Sequence, residues 1–139
     1  MKKIIAVSGG FDPIHMGHIR MIREAAKLGD VVVILNSDDW LKRKKSYSFM
    51  PWEQRAEIIQ EFASVEIVSS FDDSDDTACA AIQKFRPAAF ANGGDRYESN
   101  TPEMDVCNEL GIEMLWNIGG EKEQSSSALV DDIRFKTGV

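Results

Sequence analysis

His15 and His18 are the only histidines in the chain, and they stand three positions apart within Gly9-Gly10-Phe11-Asp12-Pro13-Ile14-His15-Met16-Gly17-His18. On a helix that starts near Met16, this spacing turns both rings toward one spot beside the amide-rich, electropositive end. Each ring can donate to a phosphate oxygen, so the pair suits the charge that gathers on a departing pyrophosphate. The same spacing also fits a cap at His15 with His18 packed beneath it, or a metal pair. For a metal, the neighbouring loops add only aspartates and the thiols lie elsewhere, so no metal-ligating set is expected of the side chains. Neither common phosphate loop is present: G-x-G-x-x-G fails at Phe11, and G-x-x-x-x-G-K lacks its Gly-Lys pair.

Three more clusters carry chemistry. Lys42-Arg43-Lys44-Lys45 follows Asn36-Ser37-Asp38; such a run is a solvated face, a nucleic-acid patch, or a counter-charge between two polyanions. In the last reading Lys45 or Lys42 acts on the reacting phosphates, while Asp38, Lys44 and Arg55 face a phosphorylated acceptor. Asn92-Gly93-Gly94-Asp95 is either a plain glycine turn or a place where a base or ribose lies against backbone, with Asp95 accepting from a hydroxyl or amino group. Ser125-Ser126-Ser127 caps a last helix and can share that end with a phosphate. Asp72, Asp73, Asp75 and Asp76 read as a solvated loop and helix entry, and Trp40, Trp52, Trp116 and Phe11 as core or pocket walls.

These residues need a frame. Ile4 to Ser8 and Val31 to Leu35 are short, β-branched apolar runs, the pattern of strands covered on both faces. Val65 to Val68, Ala88 to Ala91 and Ile112 to Trp116 continue the series. Helical spacing fills the intervals: Met16 to Leu28 ending at Gly29, a helix from Pro51 through Phe62, Thr77 to Phe85, Pro102 to Leu110 behind a Thr101 cap, and Ser125 to Phe135. Five strands alternating with five helices predict an α/β doubly wound parallel sheet in a single domain, 1–139. Ligands bind such sheets beyond the carboxyl ends of the strands, where the order reverses. Loops 9–16, 36–50, 92–101 and 117–126 are therefore the informative ones.

Composition bounds the alternatives. The 139 residues suffice for one self-supporting core, and 16 Lys+Arg against 23 Asp+Glu leave a net charge of −7. That balance disfavours nucleic acid and acidic membranes as general partners. No uncharged stretch exceeds eight residues, too short to span a bilayer. Gly9-Gly10 interrupts the faint signal-like start, so a cytoplasmic protein is expected. Cys79 and Cys107, far apart and unpaired by any motif, read as reduced thiols.

Gly10-Phe11-Asp12 followed by His15-Met16-Gly17-His18 after a first strand strongly resembles the signature of the cytidylyltransferase-like nucleotidyltransferases. The resemblance implies a Rossmann-like domain that joins a nucleoside triphosphate to a small phosphorylated acceptor, releases pyrophosphate and uses Mg2+. It implies that His15 and His18 bind the triphosphate, alongside Gly9, Gly10, Phe11, Asp12 and Gly17. It also implies an essential lysine a few residues before Glu53-Gln54-Arg55. Gly93-Gly94-Asp95 resembles the heptose-phosphate and glycerol-phosphate branches. Glycerol-phosphate enzymes carry an arginine shortly before their hydroxyl pair, whereas this chain has Gly119-Gly120-Glu121-Lys122-Glu123 ahead of its serines. The expected donor is thus ATP or CTP, with a lean to the heptose-1-phosphate adenylyltransferase branch, and the family implies a homodimer. A nucleotide-binding sensor without turnover and a metal-dependent hydrolase are the competing classes.

Overall fold

The computed structural model describes residues 3–93 and 101–120. Its elements are β1 (Ile4–Gly9), α1 (Met16–Ala26), β2 (Asp30–Leu35), α2 (Asp38–Lys45), α3 (Trp52–Gln60), β3 (Val65–Ser69), α4 (Cys79–Phe85), β4 (Ala89–Ala91), α5 (Met104–Leu110) and β5 (Glu113–Leu115). Every strand pairing is parallel, and the order is β3-β2-β1-β4-β5. The predicted fold class is the observed one.

The period of two in the strands divides the core. Ile5, Val7, Val31, Val33 and Leu35 pack with Ile22 and Ala25 of α1 and Ile59 of α3 on one face. Ala6, Val32 and Ile34 pack with Ala81 and Ile82 of α4 and Cys107 of α5 on the other. Right-handed crossovers place the helices in this way. The chain runs outward from β1 through β2 to β3, then returns to the far side of β1 for β4 and β5. The loops leaving β1 and β4 consequently part, opening a crevice at their carboxyl ends.

Several boundaries differ from the sequence reading by a residue or two, and three differences bear on the site. Segment 36–50, expected as a loop, contains α2: Ser37 accepts from the Trp40 amide, two aspartates occupy the first turn and four cations the last. Caps and charge–dipole complementarity stabilise it, and only Leu41 is buried, so no apolar stripe announces it. Helix α5 starts at Met104 behind Glu103 instead of at Pro102 behind Thr101. Helix α4 likewise begins at Cys79, with Thr77 in the preceding turn. The predicted helix at 125–135 lies outside the described residues.

Burial also separates the thiols. Cys107 is fully buried and Cys79 partly exposed, both free. Desolvation, reinforced by Cys79 and Glu103 nearby, pushes the Cys107 thiol up to about 11. Since the thiolate is the nucleophile, iodoacetamide at pH 8 should label Cys79 in the native protein at least about tenfold faster than Cys107. Peptide mapping of the alkylated protein checks this; equal rates would show that the α4–α5 face opens readily.

Candidate active site

The loop after β1 is fastened before it reaches the histidines. Phe11 adopts φ 50, a left-handed conformation that costs a bulky side chain energy and needs tight surroundings. Its ring is buried and lies 4.4 Å from that of His18. Asp12 is 1% exposed, and its carboxylate accepts from the amides of Phe49 and Met50 at 2.6 and 2.7 Å. Asp12, expected at the nucleotide, thus uses its carboxylate to bind segment 46–50 to the first loop.

His15 caps α1, with Nδ1 accepting from the Gly17 amide at 3.1 Å. His18 reaches back, its Nδ1 accepting from the His15 amide at 3.1 Å. The two rings stack with centroids 3.9 Å apart. The capping alternative holds for His15, and His18 closes the same capping box from the first turn. A neutral imidazole accepting at Nδ1 carries its proton on Nε2, so one and the same tautomer of each ring serves both bonds.

Both histidines line a cavity of about 320 Å³ at the carboxyl ends of β1 and β4, at the small end of the range for ligand sites. Gly9, Gly10, Phe11, Asp12, Gly17 and Gly93 line it too. Asn92 braces the far rim: its side chain donates to the Leu115 carbonyl at 3.1 Å, and its own carbonyl accepts from Ile118. Glu24 accepts from the Gly119 amide at 2.7 Å, bringing Gly119 and Gly120 against α1 as part of the wall. Gly94, Asp95, Ser125, Ser126 and Ser127 lie outside the described residues.

Helix α2 sorts its cations by face. Lys44 and Lys45 line the cavity; Lys42 is exposed and does not. Lys45 donates to the Asp12 carbonyl and sits 3.5 Å from its carboxylate, while Lys44 lies over the Trp40 ring at 4.7 Å. Arg43 turns outward to Asp76 at 3.0 Å.

Two expected acceptor ligands do different work. Arg55 is 1% exposed; its guanidinium donates to the carbonyls of Gly10, Asn36 and Met50 at 2.8, 2.9 and 3.0 Å, and to Asp38 at 2.6 Å. Neither Arg55 nor Asp38 lines the cavity. They hold the first loop and the end of β2, which line the cavity, to the segment at Met50, because a planar donor fork satisfies several carbonyls at once. Burial by itself would raise the Asp38 carboxyl; the bonds from Arg55, the Trp52 amide and Ser48, together with the Arg55 charge, outweigh it and lower it. Asp73 is a further correction to a solvated loop. It is buried, accepting from the Asn36 side chain and from both the amide and hydroxyl of Ser37, which pins the β3–α4 loop to the start of α2. Glu103 and Thr77, which the sequence did not single out, also line the cavity.

The sequence profile of the Cytidylyltransferase-like family matches residues 6–118, which takes in the histidine loop, α2 and every described strand after Ile5. The chain belongs to the cytidylyltransferase-like family. This cytidylyltransferase-like domain is 31% identical over 137 residues to the Bifunctional protein HldE of Geobacter metallireducens, covering 95% of this chain and 27% of that one. It is 32% identical over 139 residues to the Bifunctional protein HldE of Campylobacter jejuni, covering 97% of this chain and 28% of the other. The chain thus spans about a quarter of the length of these curated relatives. The crystal structure of the lipopolysaccharide core biosynthesis protein from Thermoplasma volcanium superposes with a TM-score of 0.70 at 23% identity, covering 84% of this chain and 94% of that one. That likeness is one of fold. Among the described residues no helix of this cytidylyltransferase-like domain is long and apolar enough to cross a membrane.

Proposed function

We propose that the domain transfers AMP or CMP from ATP or CTP to a small phosphorylated sugar or polyol and releases pyrophosphate. The observation that carries the reading is the stacked histidine pair, each Nδ1 engaged by a backbone amide, lining one cavity with Lys44 and Lys45. An oxygen of the acceptor phosphate attacks the α-phosphorus; the bond from that phosphorus to the bridging oxygen breaks, and its electron pair leaves on pyrophosphate. A phosphate monoester is largely dianionic at neutral pH, so no strong base is required and catalysis consists of alignment and charge stabilisation. The Nε2–H donors of His15 and His18 would meet the charge growing on the leaving group, and Lys45 the repulsion between the two anions.

Magnesium fits this scheme as a companion of the nucleotide. Among the described residues no three His, Cys, Asp or Glu side chains gather into a metal cage, and the Asp12 carboxylate is engaged by amides. The ion accepts phosphate oxygens and water with few protein ligands, so it would enter on the triphosphate and supply charge neutralisation there. The lean to ATP as the donor rests on the resemblance of the Asn36-Ser37-Asp38, Lys42-Arg43, Glu53-Gln54-Arg55 and Gly93-Gly94-Asp95 stations to the heptose-1-phosphate adenylyltransferase branch. A homodimer, implied by the family, belongs to the same proposal and is read by light scattering.

The deciding experiment incubates the protein with magnesium, ATP or CTP, and a panel of phosphorylated sugars and polyols, and follows pyrophosphate. Acceptor-dependent release is expected. Triphosphate binding with no release would make the domain a sensor, and release without acceptor a hydrolase. Within this scheme Lys45→Ala should lower kcat at least about tenfold, while Lys42→Ala stays within about twofold. Steady-state kinetics of the two variants tests the assignment of faces on α2.

A further inference from the structure

We propose that Glu103 recognises a hydroxyl of the acceptor, making the site selective for polyhydroxylated phosphates; the inference rests on the nucleotidyl-transfer reading above. Glu103 is 4% exposed and lines the cavity. Its Oε1 accepts from the Ala78 amide at 3.1 Å, but its buried Oε2 has no hydrogen-bond partner among the described residues. An unsatisfied buried acceptor costs about 1–3 kcal/mol, so a carboxylate oxygen left so beside a ligand cavity calls for a donor, and a ligand entering the cavity can bring one. The last torsion of a glutamate is soft, so a small turn presents this oxygen to the cavity.

The place of Glu103 decides which ligand it meets. Helix α1, with the histidines, packs on one face of the sheet; Ala78 and α5 pack on the other. In-line displacement sets attacking and leaving oxygens on opposite sides of the α-phosphorus. With the leaving pyrophosphate on the histidine wall, the acceptor approaches from the wall of Asp76, Thr77, Ala78 and Glu103. On that wall the Thr77 hydroxyl is bonded to Asp75, and Asp76 is exposed to solvent and paired with Arg43, which leaves Glu103 as the carboxylate whose unbonded oxygen is buried. The matching donor is a hydroxyl in preference to an ammonium, because Lys44 and Lys45 already bring two cations to the same cavity.

The test uses the full chain and Glu103→Gln, with Mg·ATP and three acceptors: α-D-mannose 1-phosphate, ethyl phosphate and O-phosphoethanolamine. Pyrophosphate release and calorimetric acceptor binding are both read. Wild type should use mannose 1-phosphate at least about tenfold better than either other acceptor, the size expected of one hydrogen bond to a charged group. E103Q keeps a carbonyl oxygen for the Ala78 amide, so its Tm should hold. Its KM for mannose 1-phosphate should rise about tenfold, with the KM for ATP unmoved. Equal use of ethyl phosphate, a preference for phosphoethanolamine, or a change in the ATP KM instead would each overturn the assignment. Should E103Q unfold, the wild-type preference among the three acceptors decides. Should none of the three release pyrophosphate with ATP, the wider panel with both nucleotides judges nucleotidyl transfer separately, and calorimetry with mannose 1-phosphate still judges Glu103.

Discussion

His18→Ala should lose about 100-fold or more in turnover while keeping its fold, the loss seen when one preorganised donor to a developing anion is removed. Its Nδ1 bond to the His15 amide is local, and the side chain is only half-buried, so the structural cost is small beside the catalytic one. His15→Ala should cost the same donor and, in addition, the helix cap that accepts from Gly17, about 1 kcal/mol of stability. The two substitutions together should fall well short of the product of their separate effects, because stacked rings that serve one leaving group act as a unit. Single-turnover rates and thermal unfolding of the three variants separate chemistry from folding. A His18→Ala enzyme at wild-type speed would refute the role of His18 in the mechanism.

The largest loss of stability should come from Arg55→Ala. The substitution strands three backbone carbonyls and a carboxylate and empties the volume of a fully buried side chain. Removing one partner from a buried charged network costs about 3–5 kcal/mol, a large part of the total stability of a domain this size. Urea denaturation should therefore show the variant mostly unfolded, or folded with a much reduced midpoint. Asp38 gives the same network a pH signature. Its carboxyl lies lower in the folded state than its ordinary value, so its contribution is present above about pH 4 and lost as the pH falls through the folded value. Asp38→Asn should then be less stable than wild type at pH 7, with the gap closing toward pH 2. A gap independent of pH would show that the ion pair is not its source.

Much of the architecture was legible because it is written in local patterns. The β-branched runs at Ile4 and Val31 become neighbouring parallel strands, and the spacing of His15 and His18 becomes a stacked pair at a helix start. Other features escaped for a common reason. Helix α2 buries one residue and stands on a cap and charge placement, so hydrophobic periodicity could not reveal it. Arg55, Asp38 and Asp73 were read by their charge as ligands or solvated groups, yet long-range partners bury Arg55 and Asp73 and hold Asp38 against Arg55, away from the cavity. Glu103 gave no signal beyond a lone acid at a helix start.

By itself the amino-acid sequence determined the alternation of strands and helices and the loop that carries two imidazoles, since both follow from residue spacing along a few turns of chain. Which lysine faces the cavity, which arginine is walled in and which glutamate keeps an oxygen unbonded were decided only when α2, α3 and α5 docked. Burial and hydrogen-bond satisfaction are properties of partners brought together across distant stretches of chain, and no local spacing encodes them.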